Sequence, residues 1–211
     1  MGSASEMLYR LERSLTVELQ KRRADLLFVH AAVLSRWGRA YLFAAESGGG
    51  KSTLAWALLH HGFGYLSDEL APIEPETVRV HPYPHALCLK RRPPSPYGLP
   101  KAALDLGSTV HIPAHSLPGG VAAAPHPIAA VFFVRYAPHL PHPVLRPLKP
   151  AEAAARLYVS ALNPLAHGDR GLAPTLRVAE RSRAYAVATG ELAATSRLIL
   201  AAVDRDGAAS C

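Results

Sequence analysis

The chain has 211 residues, 49% of them apolar, with a formal net charge of +7 at neutral pH. That length supports one sizeable core with at most a small appendage, and the longest uncharged apolar runs are too short for a membrane span. Two cysteines, Cys88 and Cys211, are too few for a disulfide framework or a cysteine-based zinc site. Cys88 sits in an apolar stretch and reads as a small buried hydrophobe, Cys211 as a terminal thiol. The basic balance suits an anionic partner. Because Lys and Arg are dispersed and no nucleic-acid motif accompanies them, nucleotide phosphate is the expected anion and nucleic acid is not. Residues 1–7 lack a basic-then-apolar signal pattern, so a cytoplasmic location is expected.

Residues 1–25 read as an N-terminal edge segment, in which 7–23 mix apolar and charged positions so loosely that strand and helix both stay open. Residues 26–34 are a near-continuous apolar, β-prone run and predict one buried strand. A turn at 35–38, with Gly38 supplying a positive φ if needed, leads to a second strand over 39–45. A helix is predicted from Ser52 to about Gly62. Residues 63–74 begin as a short strand, place Ser67, Asp68 and Glu69 at its end, and continue extended; 77–81 and 85–90 are further strands. From 91 to 127 the chain is rich in Pro, Gly, His and Ser and is expected to form irregular, substrate-facing loops. A strong strand is predicted over 128–136 and a short extended piece over 144–148. A helix with Pro150 near its start follows over 150–162, then a loop or helix break over 163–171. A strand over 183–189, a final helix over 191–203 and a polar tail over 204–211 complete the chain. The body, 26–203, is therefore expected to be a single α/β domain.

The stretch that carries chemistry is 45–53, between a strand and a helix. Its Ser47, Gly48, Gly49, Gly50, Lys51, Ser52 and Thr53 read as a phosphate-binding loop. Backbone N–H groups of such a loop wrap phosphates, the lysine reaches the terminal ones, and the following hydroxyl ligates Mg²⁺. The usual G-x-x-x-x-G-K-[ST] pattern has glycine where this chain has Ala45. His30 lies 21 residues before Lys51, and Asp68 lies 17 after it. Phosphoryl transfer needs a phosphate cradle, a metal and a carboxylate near the acceptor hydroxyl. The loop supplies the first, Ser52 and Glu69 the metal ligands, and Asp68 the base, with His30 able to hydrogen-bond that base. Each has a bland rival: a packed core histidine at 30 and a solvated strand end at 68–69. The cluster Lys90, Arg91 and Arg92 can hold phosphate or acidic substrate, or can be a solvated basic turn. Seven histidines (His81, His85, His111, His115, His126, His139, His142) sit mostly in proline-rich segments without ligand spacing, which argues against zinc.

With these residues in hand, the chain resembles the catalytic domain of bacterial HPr kinase/phosphorylase. The likeness lies in His30 before the hairpin, the loop over 45–52 and the strand ending in Asp68-Glu69. The continuation over 70–90 is more similar still to the HPr-kinase-related group that includes small kinases of lasso-peptide and other peptide gene clusters. The specific part spans about 30–90. The resemblance implies a phosphate-loop sheet of the type shared with ATP-dependent phosphoenolpyruvate carboxykinase. It implies ATP held by Lys51 and 48–53, Asp68 as general base, Glu69 as metal-side carboxylate and His30 as partner of Asp68. Ala45, Thr53 and Glu69 depart from the bifunctional enzymes, and no copy of the phosphorylase motif is found. The expected function is an ATP- and Mg²⁺-dependent kinase for a serine hydroxyl on a peptide or small protein, such as a ribosomally made precursor. Arg135 or Arg146 is expected to assist, and homo-oligomerisation follows by analogy with the family's hexamers. A kinase for a small hydroxylated metabolite such as free serine, and a non-catalytic nucleotide-binding regulator, are the alternatives.

Overall fold

Residues 4–208 are described by the structure, a computed structural model; Cys211 lies outside them. The N-terminal segment, left open between strand and helix, is a helix, α1 (Ala4–Arg22). The apolar run after it was expected as one strand and is two, β1 (Leu27–Val29) and β2 (Ala31–Arg36), interrupted at His30. At the break the His30 N–H donates to the Ser160 carbonyl at 2.8 Å, outside the pairing of either strand. β3 (Arg39–Ala44) completes a hairpin with β2 and leads into α2 (Lys51–Leu59). Then come β4 (Gly64–Ser67), β5 (Ala71–Glu74), β6 (Arg79–Val80) and β7 (Leu87–Leu89). The proline-rich stretch expected to be irregular holds β8 (Leu104–Asp105), β9 (Val110–Ile112) and a 3₁₀ turn (Ala114–Ser116). β10 (His126–Tyr136), β11 (Val144–Pro147) and α3 (Pro150–Ser160) follow. Next are α4 (Leu172–Arg181), a helix the sequence pattern did not single out, and β12 (Arg183–Thr189). The last helix, α5 (Leu192–Ala208), runs on through most of the stretch expected as a polar tail. No helix among the described residues is long and apolar enough to cross a membrane.

Among the described residues, nine strands form one sheet and β7, β9 and β8 a second, smaller one. β10 is the spine of the large sheet: it runs parallel to β3 and to β12, and its first two residues pair antiparallel with β6. β2 lies antiparallel between β3 and β4. The C-terminal ends of β3, β4, β10 and β12 therefore share one edge with the N-terminal end of β2. Ala31 pairs with Ala44, and Val33 with Ser67. Those two registers bring His30, the loop after Ala44, and Asp68-Glu69 to the same edge, the place where open α/β sheets bind ligands.

Successive β10 side chains point to opposite faces. Phe132 and Val134 pack with Leu54 and Leu58 of α2 and Ile199 and Val203 of α5, while Val131 and Phe133 pack with Ala153 and Leu157 of α3 and Val178 of α4. Helix α2 has no polar face after its first turn, since 54–59 are all buried. A helix apolar all round must be covered on every side, and the small sheet supplies the cover through Leu87, Leu89, Val110 and Ile112. The proline-rich chain next to that sheet is fastened to α2: Trp56 Nε1–H donates to the Tyr97 carbonyl at 3.2 Å, and Tyr97 Oη lies 2.9 Å from His61 Nε2.

Asn163 ties the segment after α3 to β1 and the residues before it. It is buried; its Oδ1 accepts from the Phe28 N–H at 2.8 Å and its Nδ2 donates to the carbonyls of Leu26 at 2.9 Å and Arg23 at 3.2 Å. Replacing it by alanine strands these groups. Asn163→Ala is expected to destabilise the protein by roughly 1–3 kcal/mol in urea unfolding.

Candidate active site

The loop between β3 and α2 depends on glycine at two points, Gly48 (φ +84°) and Gly50 (φ +93°), both in the left-handed region that a Cβ disfavours. Gly50 is the N-cap of α2 and has no side chain with which to cap it. The first N–H groups of α2 are thus left for an anion, which the helix dipole favours. Gly49 is tight for another reason: a Cβ there would come within 3.0 Å of Ala45 Cβ and of the Glu46 carbonyl. Ala45 is not among the residues with positive φ, so its methyl is compatible with the backbone at this position. The methyl at 45 and its absence at 49 are complementary.

Lys51, the first residue of α2, is 6% exposed, and its Nζ donates to Asp68 Oδ1 and Glu69 Oε1, each at 2.9 Å. Ser52 Oγ–H donates to the same Asp68 Oδ1 at 3.1 Å, and the Cys88 N–H approaches Asp68 Oδ2 at 3.4 Å. Burial alone would depress the Lys51 pKa, but the two carboxylates more than offset it and hold the pKa above the ordinary lysine value. Burial likewise pushes Glu69 up, yet Lys51, with help from His30 and Lys90, holds its carboxyl below the usual glutamate value. Glu69 is also one of four non-glycine residues with positive φ among those described (+79°). That turn lets two adjacent carboxylates reach one ammonium; a strained backbone of this kind is typical of functional positions.

The expected residues do come together, with a different pairing. His30 was expected beside Asp68; its Nδ1 instead lies 3.1 Å from the Glu69 carbonyl and 3.5 Å from Glu69 Oε2. Asp68 is 3% exposed and surrounded by Lys51, Ser52 and the Cys88 backbone, whereas the Glu69 side chain is 60% exposed. Cys88, read as a buried hydrophobe, is only half-buried, and burial followed by the Asp68 and Glu69 charges raises its thiol pKa.

Among the described residues, neither expected arginine makes a hydrogen bond or ion pair with the loop, Asp68 or Glu69. Arg146 pairs with Glu152 at 2.8 Å. Arg135 is exposed near the end of β10, on the side of β3 away from β4. A cation the sequence left undecided does reach the loop: Lys90 Nζ donates to Ser47 Oγ at 2.8 Å. Its neighbour Arg92 turns to Asp105 at 2.9 Å. A cleft of about 520 Å³ lined by Asp25, Glu74, Glu76, Asp169 and Arg177 lies at the other end of β5 and takes no part.

Fold and site together define a mixed α/β protein with a glycine-rich loop, a buried lysine and a carboxylate pair at one sheet edge. The structure is similar to that of the Hpr(Ser) kinase/phosphatase from Coxiella burnetii, at 15% identity and a TM-score of 0.43, over 87% of this chain and 97% of that one. A scan against protein-family models and a search of curated proteins each found no match.

Because only φ strain opposes a side chain at 50, Gly50→Ala is expected to cost about 1–2 kcal/mol of stability. It is also expected to weaken nucleotide binding, as read by fluorescence titration with a labelled ADP.

Proposed function

We propose that this protein is an ATP- and Mg²⁺-dependent kinase that phosphorylates a serine hydroxyl on a peptide or small protein. One observation carries the reading: a second carboxylate, Glu69, faces solvent beside a histidine, at the loop whose lysine and hydroxyl already hold a buried aspartate. Binding a nucleotide needs the loop, Lys51 and one metal-side carboxylate. A solvent-facing carboxylate with an imidazole partner adds what proton transfer requires.

The donor set fits magnesium. Ser52 and Asp68 offer hard oxygens side by side, at a spot that already attracts an ammonium. Mg²⁺ needs only one or two carboxylates when substrate phosphates complete its shell. No group of three His, Cys, Asp or Glu gathers among the described residues. Ser52 and Asp68 would hold the ion, which when bound neutralises charge on the phosphate oxygens.

The roles foreseen for the two carboxylates are accordingly exchanged. Glu69 accepts the proton of the serine hydroxyl, and that oxygen bonds to the γ-phosphorus as the bond to the ADP oxygen breaks. Lys51 leaves the carboxylates for the phosphate oxygens, and His30 orients Glu69. The exposure of Glu69 favours an acceptor carried on a polypeptide, because a free metabolite is ordinarily enclosed.

Glu69→Gln is expected to lower kcat by about 10²–10⁴-fold with nucleotide binding nearly unchanged, whereas Asp68→Asn weakens Mg²⁺-nucleotide binding itself. The reverse pattern, in transfer assays paired with calorimetry, would return the base role to Asp68. A second expectation concerns pH. A base held below its ordinary pKa stays deprotonated as pH falls, so kcat/KM shows no acid limb between pH 8 and roughly 5. A limb in the imidazole range would assign the base to His30.

A further inference from the structure

We propose that Lys90 is a second phosphate-handling cation, which leaves the Ser47 hydroxyl to hold the γ-phosphoryl oxygens during transfer. The inference rests on the kinase reading and adds a residue to it.

Three observations place Lys90 on the path of the phosphoryl group. Its ammonium is 2.8 Å from Ser47 Oγ, inside the phosphate loop. Two residues before it, the Cys88 N–H approaches Asp68 Oδ2 at 3.4 Å, so its strand ends beside the carboxylates. Among the described residues Lys90 has no ion-pair partner, whereas Lys51 is held by two carboxylates and Arg92 and Arg146 by one each. The fold explains the position. β7 is pinned on α2 by Leu87 and Leu89, and Lys90 is the next residue, reaching Ser47 in the loop before that helix.

The chemistry needs such a group. As the bond from γ-phosphorus to the ADP oxygen breaks and the bond to the serine oxygen forms, charge spreads over the three transferring oxygens. Lys51 is held at the start of α2 by two carboxylates, whereas Lys90 rests on a hydroxyl. A lysine is a compact charge on a flexible four-carbon stem, suited to following a charge that moves. Its resting partner, a neutral hydroxyl, costs little to leave.

The test uses Mg²⁺-ADP with aluminium fluoride, a mimic of the transferring phosphoryl group that requires no acceptor. Wild type is expected to bind Mg²⁺-ADP and to trap the fluoride complex. Lys90→Met should keep ADP affinity within about threefold while losing trapping by roughly 10²–10³-fold, and Lys90→Arg, which keeps the charge, should retain most of it. Trapping by Lys90→Met equal to wild type overturns the assignment of Lys90 alone. Equal loss in Lys90→Met and Lys90→Arg overturns it too, since the effect would then not follow charge. Failure of wild type to bind Mg²⁺-ADP removes the kinase reading and this inference with it.

Discussion

A buried ammonium that must be paired governs this structure. Lys51 is almost wholly enclosed at the start of α2, and an unpaired charge there would cost several kcal/mol. Its partners, Asp68 and Glu69, come from the end of β4, so β4 has to finish beside the first turn of α2. The sheet order achieves this by setting β2 between β3 and β4, which brings the N-terminal end of β2, and with it His30, to the same edge. The glycine-rich loop, carboxylates and histidine are thus gathered by one doubly paired ammonium and the two registers that permit it.

The same enclosure distinguishes two carboxylates that are neighbours in the chain. Asp68 faces inward, to Lys51, Ser52 and the Cys88 N–H; Glu69 turns outward through a left-handed backbone, toward His30 and solvent. In the proposed reaction, enclosure and donors suit the first to holding a cation, and exposure with an imidazole neighbour suits the second to exchanging a proton. The small sheet, whose packing role is to cover the apolar α2, carries Lys90 over the loop as a consequence of that cover.

Much of the frame was legible in the chain. The hairpin into the loop, the helix after it and the strand ending in Asp68-Glu69 all follow from local apolar runs and glycine placement. Three features were not. The run over 26–34 is equally apolar before and after His30, and nothing in its pattern records that the two halves pair with different strands. β8 is two residues long and forms a short hairpin with β9, so its extended form comes from pairing and not from an apolar run that a pattern could record. α4 was missed although its buried positions, Pro174, Thr175, Val178 and Ala179, share one face, because proline, threonine and alanine leave that face only weakly apolar.

By itself, then, the sequence determined the glycine-rich loop before Lys51, the strand and helix on either side of it, and the presence of a histidine and two carboxylates at set distances. These depend on local backbone preference and residue type, which a linear pattern records. Tertiary structure alone decided which carboxylate is enclosed, which one His30 meets, and that Lys90 rather than Arg135 or Arg146 touches the loop. Asp68 and Glu69 are chemically alike and adjacent, so only what packs against them can give them different tasks. Ser47 and Lys90 lie 43 residues apart, and their meeting is a property of the small sheet resting on α2.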